Sequence, residues 1–217
     1  MKQLVFMAIF ILAGLCVSAQ NAVIERVTGT VEIKQPGEKS FKNANSGDKI
    51  FKETVIATGF KSLAVIRIGS TTITARPLTH LTLTEMQNLT EVETINVNLQ
   101  AGRVRVDVKP PAGTRASTTI SSPSAVASVR GTSFEFDTDN LYVNEGAVSF
   151  SGNRGQNILV SAGGNSRVGQ TGQVVSPRDR RNADLLPPSP AGINAGDVPV
   201  SLPVAAGANF AIELEFK

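Results

Sequence analysis

Residues 128–136 read Ser-Val-Arg-Gly-Thr-Ser-Phe-Glu-Phe, with a glycine between two alternating apolar runs. Small apolar side chains precede the glycine, whereas Phe134 and Phe136 follow it. Because side chains alternate between the two sides of a strand, each run predicts a β-strand with one apolar face. Gly131 interrupts the pattern, as glycines do at bulges, tight bends or close backbone approaches. The stretch therefore predicts a corner of a β-structure, at which the Arg130 guanidinium could bind carbonyls or a carboxylate.

Alternating apolar runs continue on both sides of this corner through residues 22–175, and β-branched residues dominate them. Turn residues separate the runs at short intervals. This pattern predicts an all-β fold, a single antiparallel-rich β-sandwich or β-roll. Residues 86–96 interrupt it and predict a hairpin connection or at most a short helical turn. Residues 137–140 predict a hairpin turn between two strands of the corner region.

Three segments repeat the pattern Gly-x-Val-x-apolar, beginning at Gly29, Gly102 and Gly146. Each glycine follows a residue that can close a turn. The repeat predicts the same local structure at each position, namely a turn followed by a strand that enters the core. The spacing between the three copies is unequal, which argues against a solenoid of fixed period.

The composition changes at Pro177. Residues 177–209 are rich in proline, glycine and alanine, which predicts a linker that cannot form the interior of a sheet. Residues 210–217 then form a short amphipathic segment, and we predict that it is a terminal β-strand docked on its own domain. The alternative is addition of this strand to the sheet edge of a partner. The side chains expected on its apolar face are Phe210, Ile212, Leu214 and Phe216.

Residues 1–19 combine one lysine, an apolar run and small residues before Gln20, which is typical of a secretory signal peptide. The apolar run is shorter than the span of about 20 residues that crosses a membrane comfortably. We therefore expect no stable membrane span after cleavage, although retention as an uncleaved anchor is the alternative. Cys16 is the only cysteine, and the large Leu15 before it argues against a lipid-attachment site.

Residues 20–176 are expected to form one domain that is stabilised by core burial alone, since removal of the signal peptide would leave no cysteine for a disulfide. The chain of 217 residues carries a formal net charge of +3. Its basic residues are scattered among acidic ones, and no basic segment is interleaved with aromatic residues. The sequence therefore predicts no binding to nucleic acid.

Seven short motifs along the chain resemble, in order, those of an extracytoplasmic FecR-type domain. The motifs are Val27–Val31, Gly47–Ile50, Ala57–Ala64, Leu99–Val104, Ser122–Thr132, Asn144–Val148 and Val160–Gly164. The resemblance covers roughly residues 22–176. It implies a non-catalytic domain in the periplasm or cell envelope of a bacterium. The function that we expect for such a domain is binding or sensing, with a cell-envelope protein as the partner.

The founding regulators of this family resemble single-span proteins whose cytoplasmic segment controls a sigma factor. In this sequence only Met1, Lys2 and Gln3 precede the apolar run. We therefore expect a stand-alone domain that lacks the sigma-regulating segment.

No set of residues in the sequence predicts catalysis. His80 is the only histidine, and a Gly-x-Ser-x-Gly nucleophile motif does not occur. Residues 137–148 begin like a calcium loop, but Tyr142 and Val148 occupy the positions that require glycine and an acidic residue. The prediction is a protein that is not an enzyme and has neither a cofactor nor a metal site.

Three functions follow from these observations. The first is an envelope protein-binding or sensing module that uses an exposed sheet edge or the corner formed by Arg130, Gly131 and Thr132. The second is a structural or scaffold component that docks to a partner through its C-terminal strand. The third is a glycan-binding module. The oligomeric state is left open by the sequence.

Overall fold

The computed structural model describes residues 22–89 and 92–177 of the chain. Within these ranges the chain forms eighteen β-strands. They are β1 (Ala22–Thr28), β2 (Val31–Lys34), β3 (Lys42–Asn43), β4 (Lys49–Ile50), β5 (Val55–Thr58), β6 (Leu63–Ile68), β7 (Thr71–Ala75), β8 (His80–Leu89), β9 (Val92–Ala101), β10 (Arg103–Val108), β11 (Arg115–Ser121), β12 (Ala125–Val129), β13 (Ser133–Asp137), β14 (Asn140–Glu145), β15 (Ala147–Gly152), β16 (Asn157–Ser161), β17 (Asn165–Val168) and β18 (Val174–Val175).

The strands form two nine-stranded sheets that pack face to face. The first sheet has the order β18-β17-β14-β13-β10-β7-β6-β1-β4, and the second has the order β16-β15-β12-β11-β9-β8-β5-β2-β3. Neighbouring strands are antiparallel except β9 and β11, which are parallel. The prediction of an all-β, antiparallel-rich fold is confirmed, and the arrangement is sandwich-like.

The chain passes repeatedly from one sheet to the other, and glycines mark several of these crossings. Gly29 joins β1 to β2, Gly102 joins β9 to β10, and Gly146 joins β14 to β15. All three have positive φ angles, of 72°, 89° and 73° respectively, which glycine adopts without steric cost. The predicted turn before each core strand is therefore confirmed, and the turn is a change of sheet.

The core lies between the two sheets and consists mainly of alternate residues of the longer strands. Phe134, Phe136 and Phe150 are its largest fully buried side chains. Phe136 of the first sheet meets Phe150 of the second edge to face, with ring centroids 6.1 Å apart. Burial of one such side chain stabilises the fold by about 1.5–3 kcal/mol. The aromatic half of the corner sequence thus lies at the centre of the core.

Polar interactions also connect the two sheets. Glu93 on β9 is buried, and its carboxylate accepts hydrogen bonds from the Ser70 hydroxyl at 2.5 Å and the Ser70 amide at 3.1 Å. Ser70 belongs to the turn between β6 and β7 in the opposite sheet. A buried carboxylate needs such donors, because an unpaired one would carry the full cost of desolvation.

Of the two alternatives for residues 86–96, the structure bears out the hairpin and not the helical turn. β8 extends to Leu89, β9 begins at Val92, and the two strands pair antiparallel, so most of this stretch is strand. Met86 pairs with Ile95 in the antiparallel ladder and packs against the core. This tertiary pairing outweighs the low β propensity of the polar residues nearby. The predicted hairpin between residues 137 and 140 is confirmed by the pairing of β13 with β14.

Both limits of the described segment lie at one end of the sandwich, which we call the terminal end. Ala22 pairs with Ile68 beside the turn that joins β6 to β7, and Pro177 lies beside the β16–β17 crossing. We call the opposite end the distal end.

Within the described ranges, no helix is long and apolar enough to cross a membrane. The predicted signal peptide, most of the linker and the terminal strand lie outside the described residues.

Candidate functional site

The corner at residues 130–132 connects β12 of the second sheet to β13 of the first, at the terminal end. Gly131 has a φ of 70°, in the left-handed region that favours glycine. A Cβ atom at this position would make only ordinary contact with Pro110, at 3.6 Å. The glycine is therefore required by backbone conformation rather than by lack of space, and the predicted corner is confirmed.

Thr132 anchors the corner from inside. The side chain is 7% exposed, and the Thr132 carbonyl accepts a hydrogen bond from the Val108 amide at 3.0 Å. The Thr132 methyl group fills the space above Gly146, where an added Cβ atom would overlap it. Because Gly146 marks another crossing, the corner and this crossing interlock.

Arg130 differs from the expectation for this corner. The residue is exposed, and among the described residues its guanidinium has no hydrogen bond or ion pair. The sequence-based expectation that it binds carbonyls or a carboxylate within the fold is wrong. Arg130 follows Ser128 on the outer side of the second sheet, where water solvates the cation without the desolvation cost of an internal site.

The surface beside Arg130 is polar and mostly uncharged. A shallow cleft of about 370 Å³ adjoins the arginine on the outer face of the second sheet. Hydroxyl groups dominate its lining, and Thr119 and Ser128 are within hydrogen-bond distance of each other, at 3.1 Å. Leu159, 70% exposed, is its largest apolar side chain. The cleft offers hydrogen-bonding groups to a polar ligand but lacks the enclosure of a small-molecule pocket.

The remaining predicted site residues, Phe210, Ile212, Leu214 and Phe216, lie outside the described residues.

A second surface, at the distal end, was not predicted from the sequence. Phe60 is 83% exposed and Leu78 is 52% exposed. They belong to two adjacent crossings, β5–β6 and β7–β8, which a hydrogen bond from the Leu78 amide to the Gly59 carbonyl joins at 3.3 Å. We call Phe60, Lys61, Pro77 and Leu78 the distal tip.

Buried hydroxyl groups hold the distal tip in place. The Thr58 hydroxyl donates to the Arg76 carbonyl at 2.6 Å and accepts from the Thr79 amide at 2.9 Å. The Ser62 hydroxyl donates to the Phe60 carbonyl at 2.9 Å. Thr58, Thr79 and Ser62 are all buried. The distal tip therefore presents large apolar side chains on a backbone that is held in place by hydrogen bonds from these neighbouring residues.

The backbone of the distal tip adopts unusual conformations. Lys61 has a φ of 51° and Leu78 has a φ of 57°, although neither residue is glycine. The left-handed region costs a residue with a side chain about 1–2 kcal/mol. Such strain persists where the surrounding structure imposes it and is concentrated at functional sites. Leu78 is both exposed and strained, and the strained Lys61 directly follows the exposed Phe60.

Ion pairs cover the first sheet next to the distal tip. Arg76 pairs with Glu135 at 2.6 Å, and Arg103 pairs with Asp137 at 3.3 Å. An open cleft of about 460 Å³ runs beside Pro77. Its lining combines both signs of charge and consists of Arg76, Pro77, Gly102, Arg103, Asp137, Thr138, Asp139 and Asn140. The apolar tip is thus bordered by a polar, charged cleft.

Two carboxylates of this face have shifted pKa values. Burial alone would raise the pKa of Asp107, but hydrogen bonds from Ser133 and Arg105 outweigh it and leave the pKa below its ordinary value. Burial would likewise raise the pKa of Asp137, and donors from Asn140 and the Asp139 amide lower it. Both groups are anionic at neutral pH. They suit ion pairing rather than proton donation.

His80 lies at the start of β8 on the outer face of the second sheet. The His80 ring is tilted against Phe41, with centroids 6.4 Å apart. Its buried Nε2 atom has no hydrogen-bond partner among the described residues. The described part of the chain also contains no group of three or more histidine, cysteine, aspartate or glutamate residues arranged to hold a metal ion.

One sequence signal could have indicated the distal tip. Phe60 and Lys61 follow Thr58 and Gly59, a pair that the sequence already marks as a turn. A phenylalanine inside a turn is a large apolar residue at a position that usually faces water. Whether such a residue packs inward depends on the neighbouring crossing, which the sequence does not reveal.

The middle of the sandwich sequence matches a known protein family. Residues 54–149 match the family model described as FecR protein, a range that includes both the distal tip and the corner at 130–132. Among curated proteins, none matches the chain.

Two crystal structures of a candidate anti-sigma factor from Parabacteroides distasonis ATCC 8503 are similar to the chain. Each has 13% sequence identity and a TM-score of 0.46. Each match covers 56% of this chain and 57% of the solved chain, so only part of either protein is compared.

Proposed function

We propose that this chain, whose residues 54–149 match the FecR family model, is a non-catalytic protein-binding module of the bacterial cell envelope. The observation that carries the proposal is the distal tip. Phe60 and Leu78 expose large apolar side chains on turns that buried hydroxyl groups hold rigid. In this proposal the tip is the contact for a protein partner.

Preorganisation supports a protein as the ligand. Interface energy is concentrated in a few apolar or aromatic anchors, which fill pockets of the partner. An anchor whose backbone is already fixed loses less conformational entropy on binding. Phe60 and Leu78 meet both conditions, because the strained turns place them before any partner arrives.

The surroundings of the tip supply polar contacts for the rim of such an interface. Lys61 lies within the tip, and Arg76 and Arg103 line the cleft beside it together with Asp137 and Asp139. Charged groups at a rim favour encounter and orientation more than affinity. In this proposal Phe60 and Leu78 supply most of the binding energy, and the charged cleft orients the partner.

The proposed location follows from residues 1–19. In this proposal they act as a signal peptide, and cleavage before Gln20 releases the domain into the periplasm or cell envelope. Mass spectrometry of the exported protein should give an N-terminal peptide that begins at Gln20. Recovery of the protein with residues 1–19 intact in the membrane fraction would support the uncleaved anchor instead.

Site-specific photocrosslinking in living cells tests the tip. A photoreactive phenylalanine analogue at position 60 should form an adduct with a protein partner. The same analogue at Phe51, which is 54% exposed at the terminal end, is the matched control and should not form this adduct. The adduct from position 60 should disappear when Leu78→Asn is added. Equal adducts from both positions, or an adduct that is insensitive to Leu78→Asn, would refute the proposal.

A glycan is a second candidate ligand, for the cleft beside Arg130. The hydroxyl groups of Ser128 and Thr119 and the arginine provide the hydrogen bonds that sugars accept and donate. Binding to purified cell-wall polysaccharide should then fall at least tenfold in Ser128→Leu, and Phe60→Ser should leave it unchanged. Polysaccharide binding that is absent, or unaffected by Ser128→Leu, would exclude this candidate.

A further inference from the structure

The free edge of the second sheet lies beside the point where the described chain ends. β16 pairs with β15 on one side, and no described strand pairs with its other side. Pro177 and the crossing at residues 162–164 border a cleft of about 370 Å³ at this edge, with Leu159 and Ser161 on its other side. The C-terminal forty residues therefore continue from a point close to β16, whose outer edge has no strand partner among the described residues.

We propose that the chain's own segment 210–217 adds to the free edge of β16 as a further strand of the second sheet. An unpaired edge presents a row of backbone donors and acceptors, which is a template for another strand. Residues 210–217 alternate apolar and mostly charged side chains, the pattern of a strand with one buried face. The eight-residue segment is long enough to pair with all of β16.

The length of β16 distinguishes it from the other edges of the sandwich. The remaining edge strands, β3, β4 and β18, contain two residues each, whereas β16 contains five. A two-residue edge offers too few backbone groups to hold a strand. Two edges lie near Pro177, because β18 ends two residues before it and Leu159 and Ser161 of β16 line the same cleft as Pro177. Of these two edges, only β16 is long enough to pair with the segment.

The core near β16 is incompletely covered, which gives the apolar face of the segment a place to pack. Ile158 on β16 and Val174 on β18 pack against the core and are only partly buried. In the proposed arrangement the apolar side chains of residues 210–217 turn toward these two residues, and Glu213 and Glu215 face water. Burial of each large apolar side chain favours docking.

The linker permits this arrangement. A flexible chain of the length of residues 178–209 spans about 30 Å, and proline extends it further. The β16 edge adjoins Pro177, so the linker needs only to loop back on itself. A short path favours docking within one molecule, since the local concentration of a tethered strand exceeds that of a free partner.

Hydrogen exchange of the full chain tests the proposal. Amides of β16 and of residues 210–217 should both be protected. A quadruple variant with Phe210→Ser, Ile212→Ser, Leu214→Ser and Phe216→Ser should accelerate exchange in β16 at least tenfold. The matched control, Glu213→Gln with Glu215→Gln, should leave protection unchanged. Exchange at β3 and in β13 reports whether the sandwich itself stays folded in every variant.

Three results would overturn the inference. Residues 210–217 could exchange as an unstructured peptide does, or β16 could keep its protection in the quadruple variant. Protection that appears only together with a dimeric mass in analytical ultracentrifugation would mean that the strand comes from a second copy. A monomeric mass with protection of both segments is the expected outcome.

Discussion

The methyl group of Thr132 occupies the space that a Cβ atom at position 146 would need. Thr132 belongs to the crossing from β12 to β13, and Gly146 to the crossing from β14 to β15. Two similar contacts occur at the distal end, where Gly29 faces Ser62 and Gly102 faces Thr79. Each glycine therefore allows one sheet crossing to nest against another.

Gly146→Ala should destabilise the domain more than an alanine at an unobstructed glycine. A left-handed φ and an overlap with Thr132 together should cost about 2–4 kcal/mol. Gly155 is the matched control, because its φ of 74° is similar and a Cβ atom there meets nothing within 4 Å. Gly155→Ala should cost about 1 kcal/mol. Urea denaturation measures both, and equal losses would contradict the nesting.

Arg130→Ala should leave stability unchanged to within about 0.5 kcal/mol, since the exposed guanidinium has no partner in the described part of the chain. Thr132→Ser at the same corner removes a buried methyl group and should cost about 1 kcal/mol. Thermal melting of the two variants separates these contributions. A large loss of thermal stability in Arg130→Ala would show instead that the arginine stabilises the corner.

Asp137→Asn should alter the dependence of stability on pH. The pKa of Asp137 in the folded protein lies below the ordinary value of 3.8, so its carboxylate stabilises the fold at higher pH. This stabilisation is lost as the pH falls from about 4 toward the folded-state pKa. The parent protein should therefore be more stable than Asp137→Asn at pH 7, and the difference should shrink at pH 3. Parallel pH profiles of the unfolding free energy would contradict this assignment.

Leu78→Gly should raise stability and weaken partner binding at the same time. Glycine adopts the φ of 57° freely, so relief of backbone strain should outweigh the lost apolar contacts by up to about 1 kcal/mol. The same change removes half of the apolar pair of the distal tip. Thermal melting and photocrosslinking from position 60 measure the two effects. Reduced stability would show that the turn is not strained.

The sequence predicted those features that depend on local backbone requirements. Alternation identified the strands, and the glycine before each Val-containing run marked a turn, because φ angles above zero exclude most other residues. It failed at Arg130, whose environment depends on which sheet each neighbouring strand joins. It also missed the exposure of Phe60, which is determined by the crossing at Leu78, eighteen residues later. Those features arise from tertiary pairing.

The position of the two limits of the described segment has a mechanical consequence. Ala22 and Pro177 lie at the same end of the sandwich, near opposite edges of the first sheet, with β1 and β18 separated by about 34 Å across seven strand-to-strand steps. A force that pulls these two points apart acts across the strands rather than along them. Such a force breaks the backbone hydrogen bonds between strands one after another, whereas a force along the strands would load all hydrogen bonds of a strand pair at the same time. A domain stretched between Ala22 and Pro177 would therefore yield from the edges at low force.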